Sequence, residues 1–510
     1  MFRRSSRLWR AVLVVAMAAA LAVVAAGTLR AEPPRIVILM VGDGMGPEQM
    51  KAASLFAAGK EGALFLESLP QRAEVVTCPA YAVPPPGVQW PATEKSPAAA
   101  KGSTEAKSST AAKAPAETKS GAATKAPAET KSSTAAKKSA DTKSGAAAKE
   151  SSATAKPNTV SKITDSAAAA TAMATGQKVY NAVVSVALPG DGRPLGTVLE
   201  QAAAQGKGTG LVTSSYLTDA TPAAFAAHAR LRSLQKEIAA GMLRVRPNVL
   251  LGGGPKPVSP PSTKTAGTQA ATDKEVLVEV KPAVSAPKVP IMTADEGKAA
   301  GFQVVTDRVG LEAVQAAAGG HVLGLFGLGP MCYEQLYLTK AKKDYDKLPH
   351  LSEMAASALR LLSAEPKGFF LMIEGGCIDK ACHSNKLAEA VQETIEFDKT
   401  VRLVAEWAAK RTDTLVLVVA DHETGGLKVT AANGQGQLPD VKWASKKHTG
   451  ANVRLFAQGP GSDAVKGTLD NTDIFRILTG TFTSPTVYRP AVSATPPLVP
   501  VVEKETEKDD

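Results

Sequence analysis

The chain is 510 residues long, 44% of them hydrophobic, with a formal charge of +11. Its length suits about three average domains, but four stretches of biased composition cannot pack, and the remaining ~340 residues are enough for one large core. The basic balance excludes little by itself: residues 92–162 carry thirteen Lys against six acids and residues 1–31 carry five Arg and no acid, which leaves the remainder at −1, with no electrostatic reason to expect a nucleic-acid partner.

Residues 1–31 open with Arg3, Arg4, Arg7 and Arg10, run through sixteen apolar residues (11–26) and end in small side chains. That is the layout of a secretory signal peptide cut near residues 26–31, and the apolar run falls short of the ~20 residues that span a bilayer. A periplasmic or secreted protein with no stable membrane anchor is expected. Residues 35–41 (RIVILMV) form a short continuous apolar run, the pattern of a strand buried on both faces. Residues 210–215, 321–326, 369–373, 414–419 and 453–458 repeat it, and helical patterns such as 351–364 and 388–409 lie between them. Buried strands alternating with helices predict an α/β fold, a three-layer α/β/α sandwich around a central, mostly parallel sheet. On this reading the folded domain takes residues 32–91 and 163–483. Between its two parts lies the 92–162 tract, where four 12-residue repeats at 101–148 each place Lys at positions one and seven. With almost no large apolar side chain the tract is expected to be a disordered spacer, contact with anionic surfaces being the sharper alternative. A flexible insertion at 255–290 and a disordered tail at 484–510 complete the expected organisation. Cys78, Cys332, Cys377 and Cys382 allow three disulfide pairings in an exported chain, and spacing does not choose among them.

Six motifs carry candidate chemistry. VGDGMGP (41–47) follows the first strand. Pro47 stands where a dinucleotide fingerprint needs its last Gly, so the distinctive residue is Asp43, at the carboxyl end of a strand where α/β sheets bind ligands. TDSAAAATAMATG (164–176) sets Ser166 at the start of a strong helix former, either as an ordinary cap or as a nucleophile facing the positive helix end. LTDATPAAFAAHARLR (217–232) places Asp219 and Thr221 just past a strand. Its Arg232 is suited to two hydrogen bonds with a phosphate. EGGCIDKACH (374–383) puts Glu374 at a strand end, with Asp379 and His383 on one helical face, a carboxylate–imidazole pair that suits Zn2+. VVADHETGG (418–426) sets Asp421 and His422 together at a strand exit, and KKHTG carries His448. Each motif alone has a plain structural reading, as a cap or a surface ion pair. Together they gather carboxylates at strand ends, and burying so many side by side requires cations; mixed His and carboxylate ligands favour zinc, and all-oxygen sets favour magnesium.

In this order the motifs resemble the alkaline phosphatase family. The resemblance runs from Ile36 to about Leu478 and rests on DGMG, TDSAAAATAMATG, DATPAAFAAH, NVLLGGG, LPHLSEM, GFFLMIEGG with IDKA and His383, ADHETGG, HTG and NTDIFRIL. It implies hydrolysis of small-molecule phosphate monoesters through a phosphoseryl intermediate on Ser166, at a centre of two Zn2+ and one Mg2+, in a homodimer. It implies one zinc on Asp379, His383 and His448 and the other on Asp43, Asp421 and His422. Asp43 would also reach the magnesium, with Glu374 and Thr221 on that ion and Asp219 acting on its water shell. Arg232, four residues after His228, would grip the phosphate, Lys380 would reach it through water, and Asp165 would support the site. Two features depart from many relatives: the 92–162 tract between Asp43 and Ser166, and a connection of only 25 residues (423–447) between His422 and His448. The second implies a more open site and a smaller intersubunit cap. Cys377 and Cys382 would be bystanders or disulfide partners. The rival readings are a phosphodiesterase or phosphonate-ester hydrolase of the same superfamily, and a non-catalytic exported protein that binds phosphate or polyanions through the Lys repeats. No C-x-P-x-R or S-x-P-x-R lies near Ser166 to support a sulfatase.

Overall fold

Each of the continuous apolar runs folds as a strand. The computed structural model describes residues 34–80, 163–254, 292–327, 329–331, 334–339 and 346–481. The expected signal peptide, the 92–162 tract, the 255–290 insertion, the 484–510 tail and Cys332 lie outside the described residues. No described helix is long and apolar enough to cross a membrane. Cys78, Cys377 and Cys382 are free thiols, the last two buried.

In chain order the strands are β1 Ile36–Gly42, β2 Gln71–Val76, β3 Gly208–Tyr216, β4 Val249–Gly253, β5 Gln303–Val305, β6 Val322–Phe326, β7 Phe369–Gly375, β8 Thr414–Val419, β9 Glu423–Thr424, β10 Leu427–Ala431, β11 Asp440–Trp443, β12 His448–Thr449, β13 Val453–Gln458 and β14 Thr468–Asp470. Ten of them make one sheet in the order β14-β2-β13-β8-β1-β7-β3-β4-β6-β5. Every neighbouring pair is parallel except the two that β13 makes, so β13 alone runs against the rest. This is the mostly parallel sheet that the sequence predicts. At its centre Val37 of β1 lies opposite Phe370 of β7 on one side and Leu415 of β8 on the other. All of β1, β7 and β8 is buried, because helices cover both faces, and this is why their sequences are continuous apolar runs rather than alternations. β2 and β13 lie toward one edge; β2 alternates between buried and more open positions, and β13 does so over its first three residues.

The predicted helices are present as Leu351–Leu362 and Leu387–Ala408. The first ends two residues sooner than the apolar periodicity extends, because Pro366 lies ahead and disfavours helical backbone at the residue before it. The helix Ser166–Thr175 is buried along its whole length and packs against the helices Ala220–Ala226 and Asn471–Leu478. Its alanines present little bulk, so the neighbouring helices pack closely against it. The strands β8, β1, β7 and β3 are consecutive in the sheet, and the residues that follow their carboxyl ends are the ones the sequence singles out.

Candidate active site and metal centre

Four adjacent strand ends supply the carboxylates. Asp43 follows β1, Glu374 is the penultimate residue of β7, Asp421 follows β8, and Asp219 and Thr221 follow β3. Glu374 lies opposite Val41 of β1 and Thr213 of β3, which fixes its height in the sheet. Thr213 donates its hydroxyl to Glu374 Oε2. The turn after β1 is set by Gly44, whose amide donates to Asp421 Oδ1 at 3.0 Å; the same oxygen accepts from the His422 amide at 2.9 Å. Thr221 is buried beside the Glu374 carboxyl. Asp43 Oδ1, Glu374 Oε1 and Asp421 Oδ2 are buried with no hydrogen-bond partner. Orphaned carboxylate oxygens at this depth are costly, and a cation removes the cost.

Three histidines meet these carboxylates, His383 and His448 from other elements and His422 from beside Asp421, and each turns the same nitrogen inward. His383, at the end of the helix Cys377–His383, gives Nδ1 to the Lys446 carbonyl at 2.6 Å. His448, on β12, gives Nδ1 to the Thr164 carbonyl at 2.9 Å. Their Nε2 atoms face each other at 3.1 Å and lie 3.3 and 3.6 Å from Asp379 oxygens. A carbonyl that accepts from Nδ1 leaves a lone pair on Nε2. Two such lone pairs at this distance repel unless a cation sits with them. His422 turns Nε2 toward Asp421 at 3.2 Å, Asp43 at 3.6 Å and Ser166 Oγ at 3.1 Å. Its ring stacks on that of His448 with centroids 3.5 Å apart. The ligand atoms fall into two groups, Asp379–His422–His448 and Asp43–Asp421–His422, each within 4.8 Å. Imidazole with carboxylate in both groups is the donor chemistry of zinc, and the residues present fit divalent cations.

The other wall of the site is cationic. Asp165 caps the helix Ser166–Thr175 by accepting from the Ala168 amide at 3.0 Å, so Ser166 occupies the first helical position, where backbone N–H groups point outward. The second oxygen of Asp165 accepts from the Ala182 amide and from Arg232 Nη1 at 3.2 Å. Arg232 Nη2 reaches Asp219 Oδ1 at 3.0 Å, and Lys380 Nζ reaches Asp219 Oδ2 at 2.8 Å. Asp219 also accepts from Ser215 Oγ and from the Ala220 amide. The resemblance places Asp219 in a magnesium water shell. In the structure its two oxygens accept from Arg232 Nη2 and Lys380 Nζ, so Asp219 fixes where these two cationic side chains lie.

The electrostatics separate the two walls. Burial, with Asp421, Asp379 and Glu374 close by, pushes Asp43 well above the carboxylate range. Burial lifts Asp421 to about 8 against the Gly44 amide, and lifts Glu374 to about 7 with Asp219 adding to it. Burial and the neighbouring His448 push His422 well below the usual imidazole value. Burial would raise Asp219 as well, but Lys380 and Arg232 beside it hold it below the usual carboxylate range. The ligand wall is therefore short of positive charge, whereas on the other wall Arg232 and Lys380 are balanced by Asp165 and Asp219.

The profile of the alkaline phosphatase family matches residues 128–439. The alkaline phosphatase of Escherichia coli (strain K12) is 33% identical over 374 residues, covering 63% of this chain and 74% of that protein. The chain belongs to the alkaline phosphatase family. Streptomycin-6-phosphate phosphatase of Streptomyces griseus is 32% identical, over 62% of this chain and 78% of that one. Among solved structures, Thermus thermophilus alkaline phosphatase shares the fold with a TM-score of 0.59 at 19% identity, covering 89% of this chain and 93% of that one. A cold-active alkaline phosphatase from Shewanella sp. gives 0.58 at 24% identity, covering 88% and 100%. As a member of the alkaline phosphatase family, the chain is a phosphoric monoester hydrolase.

In this family member the structure brings together Asp43, Asp165, Ser166, Asp219, Thr221, Arg232, Glu374, Asp379, Lys380, His383, Asp421, His422 and His448, although they come from six separate stretches of chain. Sequence reasoning passes over Thr424. Its hydroxyl donates to Asp379 Oδ1 and lies 3.2 Å from His422 Nδ1, tying the two ligand groups together. A signal is available, since Thr424 stands two residues after His422 in extended chain and so points to the same side. The Thr164 and Lys446 carbonyls leave no such trace, because main-chain acceptors are not written in residue identity.

Proposed function

We propose that the chain is an exported alkaline phosphatase that hydrolyses small-molecule phosphate monoesters to alcohol and inorganic phosphate through a phosphoseryl intermediate, with two zinc ions and one magnesium ion in its centre. The observation that supports this best is the position of Ser166: at a helix N-terminus, 3.1 Å from His422 Nε2 and next in sequence to Asp165, which accepts from Arg232. Asp379, His383 and His448 would hold one zinc, and Asp43, Asp421 and His422 the other. Glu374 and Thr221, with Asp43, would hold the magnesium. Bound there, the cations would supply Lewis-acid charge to the attacking and leaving oxygens.

The chain's own residues account for the rest. Ser166 Oγ gives up its proton to solvent and forms the new P–O bond as the ester P–O bond on the opposite side breaks, and the departing alkoxide takes a proton from solvent to leave as the alcohol. Arg232 and the first amides of the Ser166–Thr175 helix hold the equatorial phosphoryl oxygens, donating where negative charge gathers. Lys380 adds charge through water, and Asp219 keeps both cationic side chains in place. Water then enters from the side the alcohol left, breaks the Ser166–phosphorus bond and returns the proton to Ser166, with retention at phosphorus after two displacements. Export rests on residues 1–31, and a homodimer rests on the family. The 92–162 tract fits a solvated spacer, with attraction to anionic surfaces the alternative that its lysines permit.

Ser166→Ala should abolish turnover of p-nitrophenyl phosphate while zinc and magnesium content stays at the wild-type level. Full turnover in that variant would remove Ser166 from the reaction. Bis-p-nitrophenyl phosphate, run alongside, should be a poor substrate; preference for it would favour a diesterase.

A further inference from the structure

The register of β3 against β4 jumps from Val212 opposite Leu251 to Tyr216 opposite Gly253, so β3 carries two more residues than its neighbour across that step. Extra residues of this kind beside an active site re-aim side chains. Here Thr213 is turned to Glu374 and Ser215 to Asp219 at 2.6 Å, with the Ser215 amide donating to the Thr213 hydroxyl at 2.8 Å. Tyr216 is the next residue, partly buried at the strand end. Its ring lies 5.6 Å from Lys380 Nζ, within cation–π range. Its phenol also lies near Asp219, to which it can donate, and near Arg232. Among the described residues the Lys380 ammonium makes one hydrogen bond, to Asp219. An ammonium held by a single oxygen can swing about that bond, and a ring face on a second side fixes its direction.

We propose that Tyr216 is a positioning residue of the phosphate pocket, its ring and the Asp219 carboxylate together aiming the Lys380 ammonium at the phosphate. Nothing about Tyr216 makes it touch the reacting atoms; it acts through Lys380. The proposal rests on the phosphatase reading and deepens it.

The test uses the full-length, metal-loaded enzyme and measures kcat and KM for p-nitrophenyl phosphate, the inhibition constant of inorganic phosphate, Tm and metal content. Tyr216→Leu should weaken phosphate inhibition about fivefold, the size of a partly desolvated cation–π contact. Tyr216→Phe, which keeps the ring, should stay within about twofold of wild type on the same grounds. In a Lys380→Ala background, Tyr216→Leu should have no further effect on the phosphate constant, a non-additivity that a purely structural role would not give. Tyr216→Gln, also ringless, replaces the Leu variant if that one does not fold. An unchanged phosphate constant in the ringless variant, or an equal effect with and without Lys380, overturns the proposal while leaving the phosphatase reading intact. A wild-type enzyme without phosphomonoesterase activity overturns both.

Discussion

Gly44 shows how one backbone position serves several ligands. It has a φ of 71°, and a Cβ there would meet Asp379 Cα and Thr424 Oγ1, each at 2.9 Å. Its amide meanwhile holds Asp421. Gly44→Ala should therefore cost about 1–3 kcal/mol of stability from backbone strain alone, and it should lower metal occupancy because three ligand-bearing segments shift together. Thermal unfolding and metal analysis check this; wild-type values in both would show that the turn can relax. Thr424 carries a subtler load. Thr424→Val leaves Asp379 Oδ1 and His422 Nδ1 without their shared partner, and a roughly 10–100-fold loss of metal affinity is the expected scale for such supporting contacts. Thr424→Ser should restore most of it, which a metal titration followed by return of activity would show. Asp43, Asp421 and His422 were legible in the sequence because they pair ligand chemistry with a strand exit. Gly44 was visible only as part of a motif, and its reason is the space around it.

At the scale of elements, β1, β3, β6, β7 and β8 could be read directly, since a strand covered on both faces must be apolar throughout. β5 and β14 have three residues each, too few for any pattern, and they exist because longer neighbours offer an edge to pair with. The reversed direction of β13 is likewise set by where the chain returns from, not by its own residues. The helix Ser166–Thr175 was legible from its alanines, but the double duty of its cap was not. Asp165 holds the Ala168 amide with one oxygen and Arg232 with the other. Asp165→Ala should lose about 0.5–2 kcal/mol of stability with the cap and also weaken phosphate inhibition by loosening Arg232. Asp165→Asn, which keeps an acceptor for the amide, should recover the stability more fully than the phosphate affinity. Equal recovery of both would deny the divided role.

Over the whole molecule, the +11 charge misleads, since the surplus lies in residues 1–31 and 92–162, while Arg232 and Lys380 in the candidate site are both held by the buried Asp219. The pH response of the metal-stripped protein should expose the raised acids of the ligand wall, Glu374 and Asp421. A carboxyl whose folded pKa is raised keeps its proton longer in the native state, so the native state binds more protons than the unfolded one. Its contribution is complete below about pH 4, the unfolded value, and is lost as pH rises to the folded values of about 7 for Glu374 and about 8 for Asp421. Chelated protein should thus lose Tm between about pH 5.5 and about pH 8.5, and adding Zn2+ with Mg2+ should remove most of that slope together with restoring activity. A chelated protein equally stable at both pH values would contradict burial as the origin of the raised acids. With the two zinc ions proposed above, one position would rest on the buried carboxylates Asp43 and Asp421, whereas the other would include His383, whose side chain is 39% open to solvent at the rim. The rim position should then exchange faster. Under slow dialysis it should empty first, leaving a half-loaded enzyme, silent toward substrate, that one equivalent of zinc restores.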